Sequence, residues 1–197
     1  MAKQYQCPVT CLNLSEAQND VNRRLSKEAG LGKQITVEEG NFESVPYKDD
    51  AFDLVWSQDS ILHSGQKKKV LEEAFRVLRP GGTMVFSDPM QDEKCPTEQL
   101  QPILARIHLE SLASPQFYKS LAEEVGFQQV EYHDFTEHLT FHYDRVRTVL
   151  KERTASNDLS CSQEYVDRMI KGLGHWVDAG KDHLLRWGIF VMRKPTV

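Results

Sequence analysis

Apolar positions along this chain come in short dense runs, separated by longer polar stretches with helical spacing. Val9, Cys11, Leu12 and Leu14 make one run within residues 7–14, which predicts a short strand. Ser15-Glu16-Ala17-Gln18 follows as a capping box, with Ser15 taking a free helix amide and Gln18 reaching back. That helix is expected to stop at Gly30, with Gly32 in the turn. Residues 35–38 predict a second strand ending at Gly40. Phe52, Leu54, Val55 and Trp56 crowd residues 51–57, a density that predicts a strand buried on both faces. Val70, Leu71, Ala74, Phe75 and Leu78 recur at helical spacing and lay one apolar stripe on the sheet. Pro80-Gly81-Gly82 stops that helix, and Met84-Val85-Phe86 opens the next strand.

In the second half, Leu100, Ile103, Leu104 and Ile107 predict a helix with Pro102 in its first turn. Ser114-Pro115 reads as a cap followed by proline at the first helical position. Phe117, Leu121, Ala122 and Val125 are its expected buried face, and Gly126 its stop. Residues 127–135 read as a strand, 139–151 and about 162–177 as helices, and 184–192 as the last strand. The alternation predicts an α/β fold, a doubly wound and mostly parallel sheet with helices on both faces. No repeat, low-complexity tract or linker interrupts residues 1–197, so a single domain is expected.

Composition narrows the classes. With 40% hydrophobic and 27% charged residues, the chain suits a globular domain with one substantial core. A net charge of −5 and a single basic run, Lys67-Lys68-Lys69, argue against a nucleic-acid surface. That run reads as a solvated helix start. Cys7, Cys11, Cys95 and Cys161 form no CxxC pair and no metal-like array. Reduced thiols and no metal are expected, with a Cys7–Cys11 bridge left open. No apolar run approaches about 18 residues and no signal-type core is visible. The expectation is a cytoplasmic protein without a membrane partner.

Strand ends in such a sheet face a common crevice where ligands bind. Here they are residues 13–15, 40–42, 57–60 and 88–90. Gln58 and Asp59 form a polar cluster directly after an apolar strand, a placement that favours function. Asn13 equally suits a turn residue before the Ser15 cap, Asn41 one that turns the chain after Gly40, and His63 a surface residue at the next helix. Asp49 and Asp50 read as an exposed turn.

TCLNLSEAQN, VWSQDSILHS, FSDPM, FYKSLAEEVGF and GLGHWVDAG resemble class I S-adenosylmethionine-dependent methyltransferases. More narrowly, they resemble the small-molecule N-methyltransferases that take sarcosine and dimethylglycine to glycine betaine. The resemblance runs over essentially the whole chain, and methyltransferases for phosphoethanolamine, sterols and other small acceptors share much of it. It implies S-adenosylmethionine as cofactor and a small amine as acceptor. It also implies cofactor contacts at Asn13, Gln18, Asn41, Phe42, Ser57 and Gln58. Gln58, Asp59 and His63 match the loop that closes over the sulfonium and the acceptor, which makes Asp59 and His63 the candidate proton acceptors. Tyr118, Tyr143 and Trp176 are candidate aromatic faces for a methylated ammonium, although Trp176 also sits at core spacing with Leu173 and Ile170. An amino-acid acceptor needs a grip for its carboxylate; Arg145 is carried as that residue, with Arg106 and Arg168 as equals.

The resemblance also implies a first strand and a glycine-rich loop, and nothing before Tyr5 matches them. The fold is therefore expected to lack its first strand and helix, as an N-terminally truncated domain. The strands at residues 9–13 and 52–57 would then either flank a gap or pair directly. Losing five or six buried side chains at about 1.5–3 kcal/mol each rivals the stability of a whole domain. Two functions follow: a small-molecule N-methyltransferase, or a non-catalytic methyltransferase-like remnant or gene-model fragment that acts, if at all, as an interaction partner. A nucleotide-dependent oxidoreductase is the weaker third, since it needs the same glycine loop. Oligomeric state is not legible in the sequence.

Overall fold

The computed structural model describes residues 1–156 and 161–196. Its strands form two sheets. β1 (Val9–Asn13) pairs in parallel with β2 (Ile35–Glu39). β3 (Phe52–Gln58), β4 (Leu78–Gln91), β6 (Leu185–Arg193) and β5 (Gln128–Asp134) lie side by side in that order. The edges of β1 and β3 face one cleft and do not pair. Of the two expected outcomes, the gap is the one found.

The expected α/β class holds, with a mixed second sheet. β3 and β4 are parallel, while β6 runs antiparallel to both β4 and β5. The connection between β5 and β6 explains this. It consists of two helices packed on each other, α6 (Thr136–Ala155) and α7 (Gln163–Lys181). A single crossover helix delivers the chain to the opposite end of the sheet and gives a parallel strand. A helical pair returns it to the end it left, so β6 reads backwards.

Local chemistry sets most of the other elements. A short helix, α1 (Ala2–Tyr5), precedes β1 and had no counterpart in the sequence reading. Ser15 caps α2 (Glu16–Glu28), its hydroxyl accepting from the Gln18 amide at 3.4 Å. Only half of the capping box forms. The Gln18 carbonyl accepts instead from Asn13 Nδ2 at 2.8 Å, and the Ser15 amide donates to Asn13 Oδ1 at 3.0 Å. α3 (Lys67–Val77) buries Val70, Leu71 and Ala74 as its spacing predicts, and Val77 in addition, while the expected Phe75 is half-buried; the helix runs straight into β4. That strand begins at Leu78, ahead of the expected Met84. Leu78 pairs with Phe52 before the ladder resumes at Thr83 and Leu54, so residues 79–82 bulge out. Gly81 makes the bulge at φ +78°, a conformation glycine takes without steric cost.

Two burial expectations are overturned. β3 is not buried on both faces: Leu54 is 37% and Trp56 57% exposed. The gap beside β3 leaves that surface uncovered. On α5 (Pro115–Val125), Tyr118 is fully buried while Phe117 is 48% exposed. Both positions fit the spacing of Leu121, Ala122 and Val125, so periodicity cannot separate them. A hydrogen bond to buried Asp88 does.

The core sits almost wholly in the second part of the chain. Leu71, Met84, Phe86, Tyr118 and Phe190 pack between the four-stranded sheet, α3 and α5, with Phe86 and Phe190 stacked at 4.7 Å. Leu62, Leu100, Ile103, Leu104, Trp176 and Leu185 form a second cluster with α4 (Gln101–Ile107), α6 and α7. Among the described residues, Ala2 is the sole buried hydrophobic before Ile61.

Candidate active site

The cleft between the two sheets has a volume of about 790 Å³. The C-terminal ends of β1 and β3, the loop that follows β2 and a 3-10 turn at Ile61–His63 open onto it. Asn13, Gln18, Asn41, Phe42, Ser57 and Gln58 all line it, and so do Asp59 and His63. Sequence positions thirty to fifty residues apart thus meet at one place. The fourth expected strand end, residues 88–90, does not line the cleft; Asp88 and Met90 lie fully buried beneath it.

Asn13 serves the turn and the cleft together, bonded to both the Ser15 amide and Gln18. Asn41 likewise turns the chain, its Oδ1 accepting from the Glu43 amide at 2.8 Å. Phe42 is half-buried against the main core. Asp59 adopts φ +49°, a left-handed conformation that aspartate tolerates better than bulky residues and that recurs at functional turns. Its amide donates to the Ser87 carbonyl at 2.8 Å. Its Oδ1 accepts from the Ser87 hydroxyl at 2.8 Å and from the indole N–H of Trp187 at 2.9 Å. His63 is exposed at the end of the 3-10 turn.

Several residues that fix this segment escaped the sequence reading. Ser87 and Trp187 were visible only as strand positions. Lys67 looked like part of a solvated run. Instead it is half-buried, with Nζ donating to the carbonyls of Leu62 at 3.3 Å and Ser64 at 2.9 Å, and burial holds its pKa below the usual lysine range. Ser64 donates to Glu43 at 2.5 Å, which ties the segment to the loop after β2. Asp88 accepts from the Leu62 amide at 3.2 Å and from the Tyr118 hydroxyl at 2.6 Å. Burial pushes its pKa up to about 7, against the pull of those two hydrogen bonds. The only signal for Asp88 was its place in FSDPM at a strand end.

The acceptor-side expectations fare differently. Tyr118 offers no face to a ligand, because it is fully buried with its hydroxyl on Asp88. Trp176 is 4% exposed and stacks on Tyr143 at 4.9 Å, so its core spacing was the better guide. Tyr143 is half-buried, and burial pushes its hydroxyl up to about 12; Asp59 adds to that rise and Arg106 opposes it. Arg145 is exposed on α6 and does not line the cleft. Arg106 is exposed on α4 and likewise does not line the cleft: its guanidinium lies across Gly172, where an added Cβ would come within 1.9 Å of Nη1, and Nη2 donates to Met169 Sδ at 2.8 Å. Arg168 shares with it a separate cavity of about 460 Å³ beside α7.

The cleft suits an adenosyl group. Among the described residues, Asn13 and Gln18 retain amide N–H donors after bonding each other, and Phe42 gives an apolar shelf beside Asn41. The first 86 residues match the model of a methyltransferase domain family. Over 195 residues the chain is 49% identical to a sarcosine/dimethylglycine N-methyltransferase of Aphanothece halophytica, covering 99% of this chain and 70% of that one. The chain belongs to this methyltransferase family.

A second relative, a dimethylglycine N-methyltransferase of Parasynechococcus marenigrum, is 49% identical over 99% of this chain and 70% of its own. The crystal structure of a proposed sarcosine dimethylglycine methyltransferase from Galdieria sulphuraria superposes with a TM-score of 0.93 at 36% identity, covering 99% of this chain and 72% of that one. A phosphoethanolamine N-methyltransferase of Haemonchus contortus, solved with S-adenosylhomocysteine, shares the fold at a TM-score of 0.88 and 18% identity, covering 98% of this chain and 45% of that one. S-adenosylmethionine is the cofactor of this methyltransferase family. Among the described residues, no helix is long and apolar enough to cross a membrane.

Proposed function

We propose that this chain methylates the nitrogen of a small amino acid of the sarcosine or dimethylglycine type. The observation that carries the reading is the convergence of Gln58, Asp59 and His63, on a braced segment, with Asn13, Gln18, Asn41 and Phe42 around one cleft. S-adenosylmethionine, when bound, supplies an electrophilic methyl group. The protein's share is to align the acceptor nitrogen, an effect worth about 7–11 kcal/mol in well-oriented systems, and to take its proton.

An amine acceptor is mostly protonated at neutral pH, so its lone pair must first be freed. Asp59 Oδ1 is engaged by Ser87 and Trp187, which leaves Oδ2 to face the ammonium. His63, on the same segment and lining the same cleft, is the second proton acceptor. For the acceptor carboxylate Arg106 is carried beside Arg145; neither lines the cleft, and Arg106 opens onto the cavity it shares with Arg168. The Arg106 guanidinium lies against Gly172 on α7.

The test is transfer of labelled methyl groups to sarcosine, dimethylglycine, glycine and phosphoethanolamine. Asp59→Ala is expected to lower kcat at least about a hundredfold with cofactor affinity little changed. Arg106→Lys, which loses the planar fork, is expected to raise the acceptor KM about tenfold. Unchanged turnover in Asp59→Ala would remove Asp59 from the reaction. Transfer confined to phosphoethanolamine would overturn the acceptor class.

A further inference from the structure

Asp88 is buried where an apolar residue would pack without penalty, among Phe86, Met90, Tyr118 and Phe190. An acid in such a place is expensive unless its oxygens are matched by donors. Both oxygens are matched, and the two bonds point in different directions. Oδ2 accepts from Tyr118, deep in the core on α5, at 2.6 Å. Oδ1 accepts from the backbone amide of Leu62, in the middle of the turn that ends at His63, at 3.2 Å.

The same turn is held from its other side. Lys67 Nζ, at the start of α3, takes the Leu62 carbonyl and the Ser64 carbonyl. One residue upstream of Asp88, Ser87 holds the backbone amide and the carboxylate of Asp59. Consecutive residues at the end of β4 therefore set both Asp59 and the turn that carries His63. The charged groups that act on Asp88 are Lys67 from α3 and Asp59 from the loop after β3, with the Tyr118 hydroxyl as its partner from α5. β6 places Gly188 opposite it and brings no charge.

We propose that Asp88 is a positioning residue for methyl transfer: seated on Tyr118, it holds the Leu62 amide and so fixes the segment from Asp59 to Ser64 over the cleft. The proposal rests on the reading of Asp59 and His63 as the proton-handling groups. It assigns Asp88 no contact with acceptor or cofactor, since its side chain is fully buried and outside the cleft lining. Asparagine can keep the arrangement. Its Oδ1 would accept from Leu62, while its amide would donate to a rotated Tyr118 hydroxyl.

The experiment compares wild type, Asp88→Asn, Asp88→Ala and Tyr118→Phe by amide hydrogen exchange of residues 59–66, S-adenosylmethionine affinity, and kcat and KM for methyl transfer. In Asp88→Ala the Leu62 amide is expected to exchange at least tenfold faster, and kcat to fall at least tenfold. Its cofactor affinity should stay within threefold, and Asp88→Asn should return kcat to within threefold of wild type. If Asp88→Ala does not fold, Tyr118→Phe, which loosens the seat but spares the Leu62 bond, should give a smaller change in the same direction. Exchange and turnover unchanged in the alanine variant would overturn the proposal, as would an asparagine variant no better than alanine. A wild-type chain that transfers no methyl group would sink the functional reading instead. The exchange comparison would still decide whether Asp88 holds the turn.

Discussion

In β1 and β2 no side chain is fully buried, whereas β4 and β6 bury Met84, Phe86, Met90, Leu185, Phe190 and Met192 to 1% exposure or less. The first region is held by one parallel ladder and by surface groups such as Arg23, paired with Glu16 at 2.5 Å and Asp20 at 2.9 Å. Exposed pairs of this kind contribute little, because water and salt screen them. The second region has the interlocking core. The candidate site straddles the two. Asn13, Gln18, Asn41 and Phe42 come from or border the lightly buried side, and Gln58, Asp59 and His63 belong to the well-packed side. Local opening follows low contact and burial, so the side of the cleft formed by β1 and β2 is expected to be the more easily disturbed.

The sharpest test of that contrast is truncation in the packed region. Phe190→Ala removes a ring stacked on Phe86 and edge-packed on Tyr118, and is expected to cost about 3–5 kcal/mol in urea denaturation. The next effect is a pH dependence peculiar to the packed side. Asp88 has its pKa raised by burial to about 7, so the native state holds that proton more tightly than the unfolded chain does. Its contribution is full below about pH 4 and is lost as pH rises through about 7. The rise corresponds to about 4 kcal/mol, and Asp88→Asn should flatten this part of a denaturation series between pH 4 and 8.

A smaller effect is expected where the regions are tied together. The Val45 amide donates to Glu73 Oε2 at 2.7 Å, and Arg76 bonds Glu73 as well as the carbonyls of Val45 and Tyr47. Arg76 holds the Glu73 carboxyl below the usual range, so this stabilisation is present at neutral pH and lost as pH falls below about 4. Glu73→Ala should cost about 2–3 kcal/mol at pH 7, discounted because Arg76 is partly solvated. Val37→Ala, on the open side of the contrast, should cost about 1 kcal/mol or less. A loss as large as that of Phe190→Ala would show that β1 and β2 have a core of their own and would break the comparison.

Much of this was legible from local pattern. The caps at Ser15 and Ser114, most of the buried stripe of α3 and the ends at Gly30 and Gly126 follow from short-range rules that act within one or two turns, and three of the four expected strand ends line the cleft as the α/β fold predicts. The acceptor residues were not legible, and the reason is visible at residues 117 and 118. Two neighbours satisfied one helical period, and the choice fell to Asp88, thirty residues away. The same limit placed Trp176 in the core, left Arg145 on the surface, and put Lys67 to work on the carbonyls of Leu62 and Ser64.

By itself, then, the sequence determined the order of strands and helices, the methyltransferase resemblance and the polar set around the cleft. The first depends on the type and spacing of near neighbours, and the polar set on what the resemblance implies for these positions. The tertiary structure alone decided the split between the two sheets, the reversed direction of β6 and the bracing of Asp59 and the His63 turn by Ser87, Asp88, Lys67 and Trp187. Those features depend on pairings between distant segments, where a buried donor must find its acceptor, and linear spacing carries no record of that search.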